Sequence, residues 1–248
     1  MNENSKYIYT PLPNPFPITE HNWPEGTLPL LHTRTMTYMH EDYISECIEG
    51  ILMQKTNFPV QVFIHDDAST DKTAEIVREY EQKYPRLIKV YYQKENSHTK
   101  IDRYERRAEF RSWLIGKYEA ICEGDDYWID PNKLQKQVDF LENNPEYGMC
   151  YTKAKLYHQS QKRFFMSFIR GREINSLEEL FYTNNPVPTL TVCLRKELLD
   201  NYLEEIKPET RKWKVIGDIP RTIWCLCRLA TFEIGRKKTL TMMCSHAS

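Results

Sequence analysis

Two acidic clusters, each following an apolar run, contain the residue types in this sequence that could do chemistry. The first is Asp66-Asp67 and the second is Asp125-Asp126, and each comes directly after a strand-like segment. Adjacent carboxylates repel, and holding them near a low-dielectric interior is costly without a compensating cation. Carboxylate oxygens suit Mg²⁺ or Mn²⁺. Two such pairs at the carboxyl ends of strands predict an open α/β sheet with a crevice that binds a metal ion and a nucleotide.

Alternating strand-like and helical patterns between residues 30 and 155 form the framework that must position these acids. Pro131 opens one helix in the first-turn position that suits proline. The alternation implies parallel strands joined by helical crossovers, and hence an α/β fold. We predict strands over residues 30–37, 60–65, 87–92, 117–122 and 147–155, and helices over 41–53, 71–84 and 132–143, with another helix ending near residue 116.

The remaining segments carry weaker patterns. Residues 1–28 are proline-rich, which predicts an extended surface arm without regular structure. We expect the charged stretch 94–107 to be a mobile loop. Beyond residue 160, helical patterns cover 176–182, 196–205 and 216–229, and a strand is predicted over 189–194.

Composition and charge exclude several classes of protein. Lys+Arg total 34 against Asp+Glu 35, a net charge of -1, which gives no global argument for nucleic-acid binding. No apolar run reaches the ~20 residues of a membrane helix, and the first residues do not read as a signal peptide. The seven cysteines are odd in number and irregularly spaced, as expected for reduced core residues in a cytoplasmic protein. The histidines lack metal-ligand spacing, and P-loop and dinucleotide-binding motifs are absent.

Each acidic cluster has a functional and an ordinary explanation. Asp66 and Asp67 could accept hydrogen bonds from a base or ribose, or they could simply form a turn. For Asp71 the ordinary explanation, capping of the following helix, is favoured. Asp126 could bind a divalent cation that bridges two phosphates. Asp125-Asp126 and Glu123 put three acids in four residues beside two aromatic residues, which a simple polar turn does not require.

Three further residues are ambiguous on chemistry alone. Tyr38, at the end of the first strand, could stack on a nucleobase or be a half-buried aromatic. Arg107 belongs to a basic stretch that could contact phosphates, although a solvated face is the commoner outcome. Asp218 could be a general base, but its position before a predicted helix favours an N-cap.

The order of three motifs resembles glycosyltransferase family 2 with the GT-A fold. The motifs are TYMHEDYI at 37–44, DDASTD at 66–71 and EGDDYW at 123–128. More narrowly, the chain is similar to bacterial enzymes that build capsular or lipopolysaccharide glycans, and the run PNKLQKQ at 131–137 is typical of them. The resemblance covers residues 30–155, about half of the chain.

The resemblance implies specific roles at the nucleotide site. Tyr38 would line the base pocket, and Asp67, with Asp66 beside it, would hold the base or ribose. Asp125 would reach the ribose or the sugar. Asp126 would ligate Mn²⁺ or Mg²⁺ through a DxD-like element that here reads Gly-Asp-Asp. A single protein ligand is then expected, with phosphates and water completing an octahedron.

The resemblance also reaches residues outside that cluster. Arg107 weakly matches a basic position that faces the nucleotide. Asp218 matches the catalytic base of inverting members, which reverses the interpretation from residue chemistry alone. Met39 departs from the pattern, since the family usually has Asn there. The implied regions are a proline-rich arm (1–28), a nucleotide-sugar-binding GT-A core (29–155) and an acceptor-side region with the catalytic base (156–248).

The implied function is an inverting, metal-dependent transfer of a sugar from a nucleoside-diphosphate sugar to a hydroxyl of a glycan or lipid-linked acceptor in surface polysaccharide synthesis. The expected location is cytoplasmic, and peripheral contact with the inner face of the membrane is left open because related enzymes often use lipid-linked acceptors. Two alternatives are a non-catalytic nucleotide-sugar-binding subunit of a glycan assembly complex and, ranked lower, a different α/β enzyme that handles phosphoryl groups.

Overall fold

The computed structural model describes residues 9–97, 108–158, 161–170, 187–201 and 244–245. The chain divides into two compact units, Met1–Gln135 and Lys136–Ser248. The sequence predicts boundaries after residues 28 and 155. These boundaries separate regions by their expected function, and they stay predictions.

The first unit contains a four-stranded parallel sheet in the order β6-β2-β4-β5. Its register places Thr37, the last residue of β2, opposite Asp66, the last residue of β4. The predicted parallel arrangement is therefore confirmed, with strand ends within one residue of expectation. In chain order the elements are β1 (Phe16–Pro17), β2 (Leu31–Thr37), α1 (Ile44–Leu52), β3 (Lys55–Thr56), β4 (Val60–Asp66), α2 (Thr73–Lys83), β5 (Ile88–Tyr92), α3 (Ala108–Trp113) and β6 (Tyr118–Ile121).

Helices bury apolar side chains against this sheet. Helix α1 is amphipathic, and its apolar stripe, which includes Ile44, Cys47, Ile48 and Ile51, is fully buried. Helix α3 contributes Phe110 to a cluster of aromatic and aliphatic side chains that also contains Phe63, Leu114, Met36 and Tyr91. Burial of such side chains stabilises the unit by about 1.5–3 kcal/mol each.

A charged cluster lies inside the sheet, between β2 and β6. The Oε1 atom of Glu119 accepts hydrogen bonds from Arg34 Nε at 3.0 Å and Nη2 at 2.9 Å. The Oε2 atom lies 3.1 Å from His32 Nε2. Both Glu119 and His32 are completely buried. Because a buried carboxylate requires partners, these contacts tie together the two strands that lead into the predicted site.

The N-terminal arm has more structure than the sequence predicts. Strand β1 pairs antiparallel with β3, and a 3-10 turn follows over Ile18–Glu20. Ile18 is buried, and the Leu12 N–H donates to the carbonyl of Asn57 at 2.8 Å. The prediction of no regular structure is therefore wrong for residues 16–20. Proline tolerates the first or edge position of a strand, which explains how a proline-rich segment pairs here.

The second unit combines a three-stranded group with a separate hairpin. Strand β7 pairs antiparallel with β10 and parallel with β11, while β8 and β9 form an antiparallel pair of their own. The elements are α4 (Lys133–Asn143), most of which lies in this unit, β7 (Met149–Thr152), β8 (Ala154–His158), β9 (Arg163–Arg170), β10 (Val192–Arg195), α5 (Lys196–Asn201) and β11 (Cys244–Ser245).

Two sequence predictions for the second unit need correction. The strand predicted over 147–155 is interrupted, and β7 and β8 belong to different sheets. The strand predicted over 189–194 begins as a 3-10 turn at Thr189–Thr191 before β10. The predicted helices at 176–182 and 216–229 lie outside the described residues, as does the greater part of the charged stretch 94–107. Among the helices that the structure describes, none has the length and apolarity to span a bilayer.

Candidate functional site

The predicted acids lie at the carboxyl edge of the parallel sheet. Asp66 ends β4 and is only 2% exposed. Its Oδ2 accepts a hydrogen bond from the Ser69 N–H at 3.2 Å, and its Oδ1 accepts one from the Ser69 hydroxyl. Burial raises the pKa of the Asp66 carboxyl above its ordinary value, although the Ser69 hydrogen bonds oppose the rise. Asp66 therefore shapes the turn that follows β4.

Asp67 anchors a second segment to the same edge. Its backbone N–H donates to the Thr37 carbonyl at 2.9 Å, and its side chain is 3% exposed. The Oδ1 atom accepts hydrogen bonds from the Ser97 N–H at 3.0 Å and the Ser97 hydroxyl at 2.7 Å. The side-chain amide of Asn96 donates to the Asp67 carbonyl at 3.1 Å. The carboxylate thus positions residues 96–97, a role that sequence reasoning missed because the partners lie 30 residues apart.

The turns after β2 and β4 interlock. Met39 and Ala68 both have positive φ angles, 57° and 63°. The Met39 N–H donates to the Ser69 hydroxyl at 3.0 Å, while the Met39 sulfur accepts hydrogen bonds from the Thr70 N–H at 3.4 Å and hydroxyl at 3.3 Å. Asn is the residue that most readily adopts this left-handed conformation after Gly. Position 39, where the resemblance leads us to expect Asn, therefore holds a methionine in a backbone conformation that suits Asn.

Asp71 joins the interlocked turns to the helix that follows. Its Oδ1 accepts a hydrogen bond from the Thr73 N–H at 3.0 Å, at the first residue of α2. The N-cap position itself is Lys72, whose side chain makes no capping hydrogen bond, so the prediction that Asp71 is the N-cap is wrong by one residue. The Oδ2 atom of Asp71 accepts another hydrogen bond from the Glu41 N–H at 3.2 Å. Although slight burial alone would raise it, these hydrogen bonds lower the pKa of the Asp71 carboxyl. Both carboxylate oxygens of Asp71 thus accept hydrogen bonds from backbone N–H groups of the protein itself.

The acidic loop after β6 is held close to β2 by a glycine. The Gly124 N–H donates to the Met36 carbonyl at 3.0 Å. A Cβ atom on Gly124 would lie 2.7 Å from both His40 Nδ1 and Thr37 Oγ1, closer than real Cβ atoms come. Position 124 therefore needs glycine for close approach rather than for an unusual backbone angle. The same packing brings the loop with Asp125 and Asp126 beside the end of β2.

The Asp126 carboxyl has a strongly raised pKa. Burial, followed by the negative charges of Asp125 and Glu123, raises the pKa of the Asp126 carboxyl to about 7. Asp125, by contrast, is exposed. An ionised Asp126 is therefore costly in this loop unless a cation lies nearby.

The residues present fit a cation that takes few ligands from the protein. No group of three or more His, Cys, Asp or Glu side chains that could hold a metal ion occurs within the described ranges. A cation at Asp126 would then depend on ligands supplied by phosphates and water, which is the usual behaviour of Mg²⁺ at phosphate-binding sites.

Two buried thiols lie directly beneath the acidic loop. The sulfur atoms of Cys47 and Cys122 are 3.8 Å apart, and these thiols also contact the carbonyls of Glu123 at 3.3 Å and Asp126 at 3.5 Å, respectively. Burial raises the pKa of the Cys122 thiol well above its ordinary value. Four cysteines, Cys47, Cys122, Cys150 and Cys193, are free and buried, which agrees with the prediction that they are core residues. Their pairing beneath the loop was not visible in the sequence.

The structure brings five predicted site residues to one edge of the sheet. Tyr38 (43% exposed), Asp66, Asp67, Asp125 and Asp126 follow the ends of the neighbouring strands β2, β4 and β6. Exposure of Tyr38 at this edge leaves its ring available to a ligand. Two other predicted residues, at positions 107 and 218, lie outside the described part of the chain.

Comparisons with known proteins agree with this geometry. The profile of "Glycosyl transferase family 2" matches residues 35–196. The uncharacterized protein Rv1520 of Mycobacterium tuberculosis is 40% identical over 164 residues, which cover 66% of this chain and 46% of that protein. A Bacillus subtilis protein, named "Putative teichuronic acid biosynthesis glycosyltransferase TuaG", is 35% identical over 115 residues, which cover 46% of this chain and 42% of that protein.

Solved structures show the same fold. Residues 1–349 of Staphylococcus aureus TarS superimpose with a TM-score of 0.55 at 20% identity, over 79% of this chain and 55% of that one. The TarS complex with UDP gives a TM-score of 0.54 at 22% identity, over 78% and 53% of the two chains. The expected GT-A type of α/β fold is therefore confirmed. The chain spans about half the length of these relatives.

Proposed function

The chain belongs to glycosyl transferase family 2, and we propose that it transfers a sugar from a nucleoside-diphosphate sugar to a hydroxyl of a glycan or lipid-linked acceptor in surface polysaccharide synthesis. The observation that carries the proposal is Asp126, an acid whose pKa is raised to about 7 at the carboxyl edge of a parallel sheet. The TarS structure with UDP and the name of TuaG support the donor class and the process.

The donor nucleotide would lie across the ends of β2 and β4. Tyr38 would offer an exposed ring for stacking on the base. Asp67 would accept hydrogen bonds from the base or ribose, with Asp66 fixing the turn beside it. Arg107 is proposed, from the resemblance alone, to face the phosphates.

The diphosphate would lie against the acidic loop. Asp125, which is exposed, would reach the ribose or the sugar. Asp126 would hold Mn²⁺ or Mg²⁺, and such an ion, when bound, supplies positive charge that stabilises a departing diphosphate. The tight packing of Gly124 fixes the distance between this loop and the nucleotide-binding turns.

Transfer with inversion requires a base on the acceptor side. An acceptor hydroxyl oxygen would attack the anomeric carbon while the bond from that carbon to the diphosphate oxygen breaks. Asp218 is proposed to take the hydroxyl proton, a contribution of typically ~10²–10⁴-fold in rate. Asp218→Asn is then expected to bind donor normally and to lose turnover, measured as the rate of nucleoside diphosphate release in the presence of acceptor.

A thermal-shift screen tests the donor site. UDP, GDP, dTDP and CDP would each be added with and without Mn²⁺ to wild type, to Asp126→Ala and to a control, Asp42→Ala, at an exposed acid on the chain segment after β2. A ligand that binds only the folded state raises the melting temperature. We expect one nucleotide to give a metal-dependent shift in wild type and control but not in Asp126→Ala. No shift with any nucleotide would contradict the donor site, and binding without transfer to any acceptor would favour a non-catalytic subunit.

A further inference from the structure

The β8–β9 hairpin of the second unit has a composition unlike the rest of the chain. Residues 153–170 contain five Lys or Arg side chains and no Asp or Glu, in a protein whose net charge is -1. The same stretch contains four aromatic residues, Tyr157, Phe164, Phe165 and Phe168. Cationic and aromatic side chains are thus concentrated on one two-stranded element.

The tip half of this hairpin exposes its apolar side chains. Leu156, Tyr157 and Phe164 are 39%, 45% and 41% exposed. The rings of Tyr157 and Phe164 lie 5.0 Å apart and form a single aromatic surface. The register of the β8–β9 pair shifts between Lys155 and Tyr157, so the regular ladder is interrupted beside Leu156, and the neighbouring side chains of Leu156 and Tyr157 are both exposed. A contiguous cluster of exposed apolar side chains is characteristic of an interaction surface.

Cations surround this apolar surface. Lys155, Lys162 and Arg163 are all exposed, and Lys155 Nζ lies 6.0 Å from the centre of the Phe164 ring. The Arg163 side chain is oriented by its hydrogen bond to Gln161 Oε1 at 2.8 Å. Lys and Arg side chains beside aromatic rings are the combination that binds at the interface of an anionic bilayer, where the rings enter the headgroup region and the cations remain at its surface.

We propose that the β8–β9 hairpin is a docking surface for an anionic phospholipid bilayer. Its complete lack of carboxylates suits anionic headgroups. An anionic glycan is the other polyanion that such a surface could attract. The exposed apolar side chains of Leu156, Tyr157 and Phe164 favour the bilayer, because they gain burial of apolar area only when they enter the headgroup region. The proposal concerns a surface of the second unit and does not depend on the donor site.

Vesicle flotation with the full chain tests the proposal. Wild type would be mixed with vesicles of phosphatidylcholine alone or of phosphatidylcholine and phosphatidylglycerol. We expect binding to the anionic vesicles only, declining as salt shortens the screening length from ~10 Å at 0.1 M to ~3 Å at 1 M. Wild type that floats equally well with neutral vesicles, or with neither, would overturn the proposal.

Paired variants assign the binding to the hairpin. Each surface cation contributes about fivefold to affinity for an anionic membrane, so Lys155→Glu/Lys162→Glu should weaken binding by about 25-fold or more. Tyr157→Ser/Phe164→Ser should weaken it about tenfold without altering the charge. The matched control is Lys83→Glu/Lys89→Glu, the same change of net charge at exposed positions in the first unit, which should bind like wild type.

Separate controls test whether the variants fold and whether the ligand is an anionic glycan instead of a bilayer. Each variant should still unfold in one cooperative transition, and Tyr157→Ser/Phe164→Ser should lower the melting temperature only slightly, because it removes one partly exposed ring contact. Unchanged vesicle binding by both hairpin variants would overturn the proposal. Loss of binding in the Lys83→Glu/Lys89→Glu control to the same extent would also overturn it, because net charge alone would then explain the effect. Hairpin-dependent binding to polygalacturonate without vesicle binding would replace the bilayer by an anionic glycan.

Discussion

Replacing Asp126 by Asn should stabilise the protein at high pH and not at low pH. The carboxyl has a pKa of about 7 in the folded protein, against an ordinary value of 3.8. Below pH ~4 it is protonated in both the folded and the unfolded state and imposes no cost. As the pH rises from 4 to 7 the folded state binds more protons than the unfolded state, so the stability of wild type falls. Above pH 7 the cost is complete.

The size of this effect follows from the pKa shift and the partial exposure of the side chain. A rise of about three pKa units corresponds to about 4 kcal/mol if none of it is screened. Because Asp126 is only partly buried, solvent screening reduces the expected gain to about 1–2 kcal/mol. For a chain of this size that is a rise of about 2–8 °C in melting temperature.

Thermal unfolding from pH 4.5 to pH 9 measures the predicted difference. Asp126→Asn should gain stability over wild type progressively up to pH ~7 and keep a constant advantage above it. Asp42→Asn, at an exposed acid, should show no such pH-dependent gain. At pH 8, Mg²⁺ added together with the donor nucleotide should stabilise wild type and leave Asp126→Asn unchanged. If Asp126→Asn were less stable than wild type at pH 8, the reasoning from burial and repulsion would be refuted.

Three further predictions concern packing around the site, and each can be measured by urea unfolding. Gly124→Ala should lower the free energy of unfolding by about 1–3 kcal/mol, because its Cβ would lie 2.7 Å from two side-chain atoms; an unchanged value would contradict the close approach. Met39→Asn should raise it by up to ~1 kcal/mol by relieving the left-handed backbone, and a loss would show that the sulfur contacts outweigh the strain. Glu119→Ala should lower it by about 3 kcal/mol, since Arg34 and His32 lose their shared partner, whereas Glu142→Ala at an exposed position of α4 should have little effect.

Several elements of the first unit were predictable from a hydrophobic period. Helix α1 shows a 3.6-residue stripe, and β4 is an apolar run that ends in polar residues. Strand β2 is different, because its sequence LHTRTMT is mostly polar although most of the strand is buried. Strand β1 was not predictable, since two residues carry no period and their pairing with β3 is set by contacts 40 residues away. The division between β7 and β8 was missed for a similar reason, because a strand pattern does not show which sheet it joins.

The residues of the site could be predicted from the sequence, but the contacts between them could not. The acid pairs could be placed at strand ends because apolar runs lead directly into them. The bond between Asp67 and Ser97 and the pairing of Cys47 with Cys122 join residues far apart in sequence, and no local pattern encodes them. The raised pKa of Asp126 likewise depends on burial, which the sequence shows only indirectly.

The interlocked turns after β2 and β4 have a consequence for protein engineering. Met39 accepts hydrogen bonds from Thr70 and donates to Ser69, so each turn supplies the partners that the other requires. Grafting one turn from a relative to change the preferred base would leave the other turn without its partners. We therefore expect the two turns to be exchangeable only together. Chimaeras that exchange 38–41 and 66–73 at the same time should fold. A double-mutant cycle built from the two single exchanges should give a coupling energy of about 0.5–3 kcal/mol.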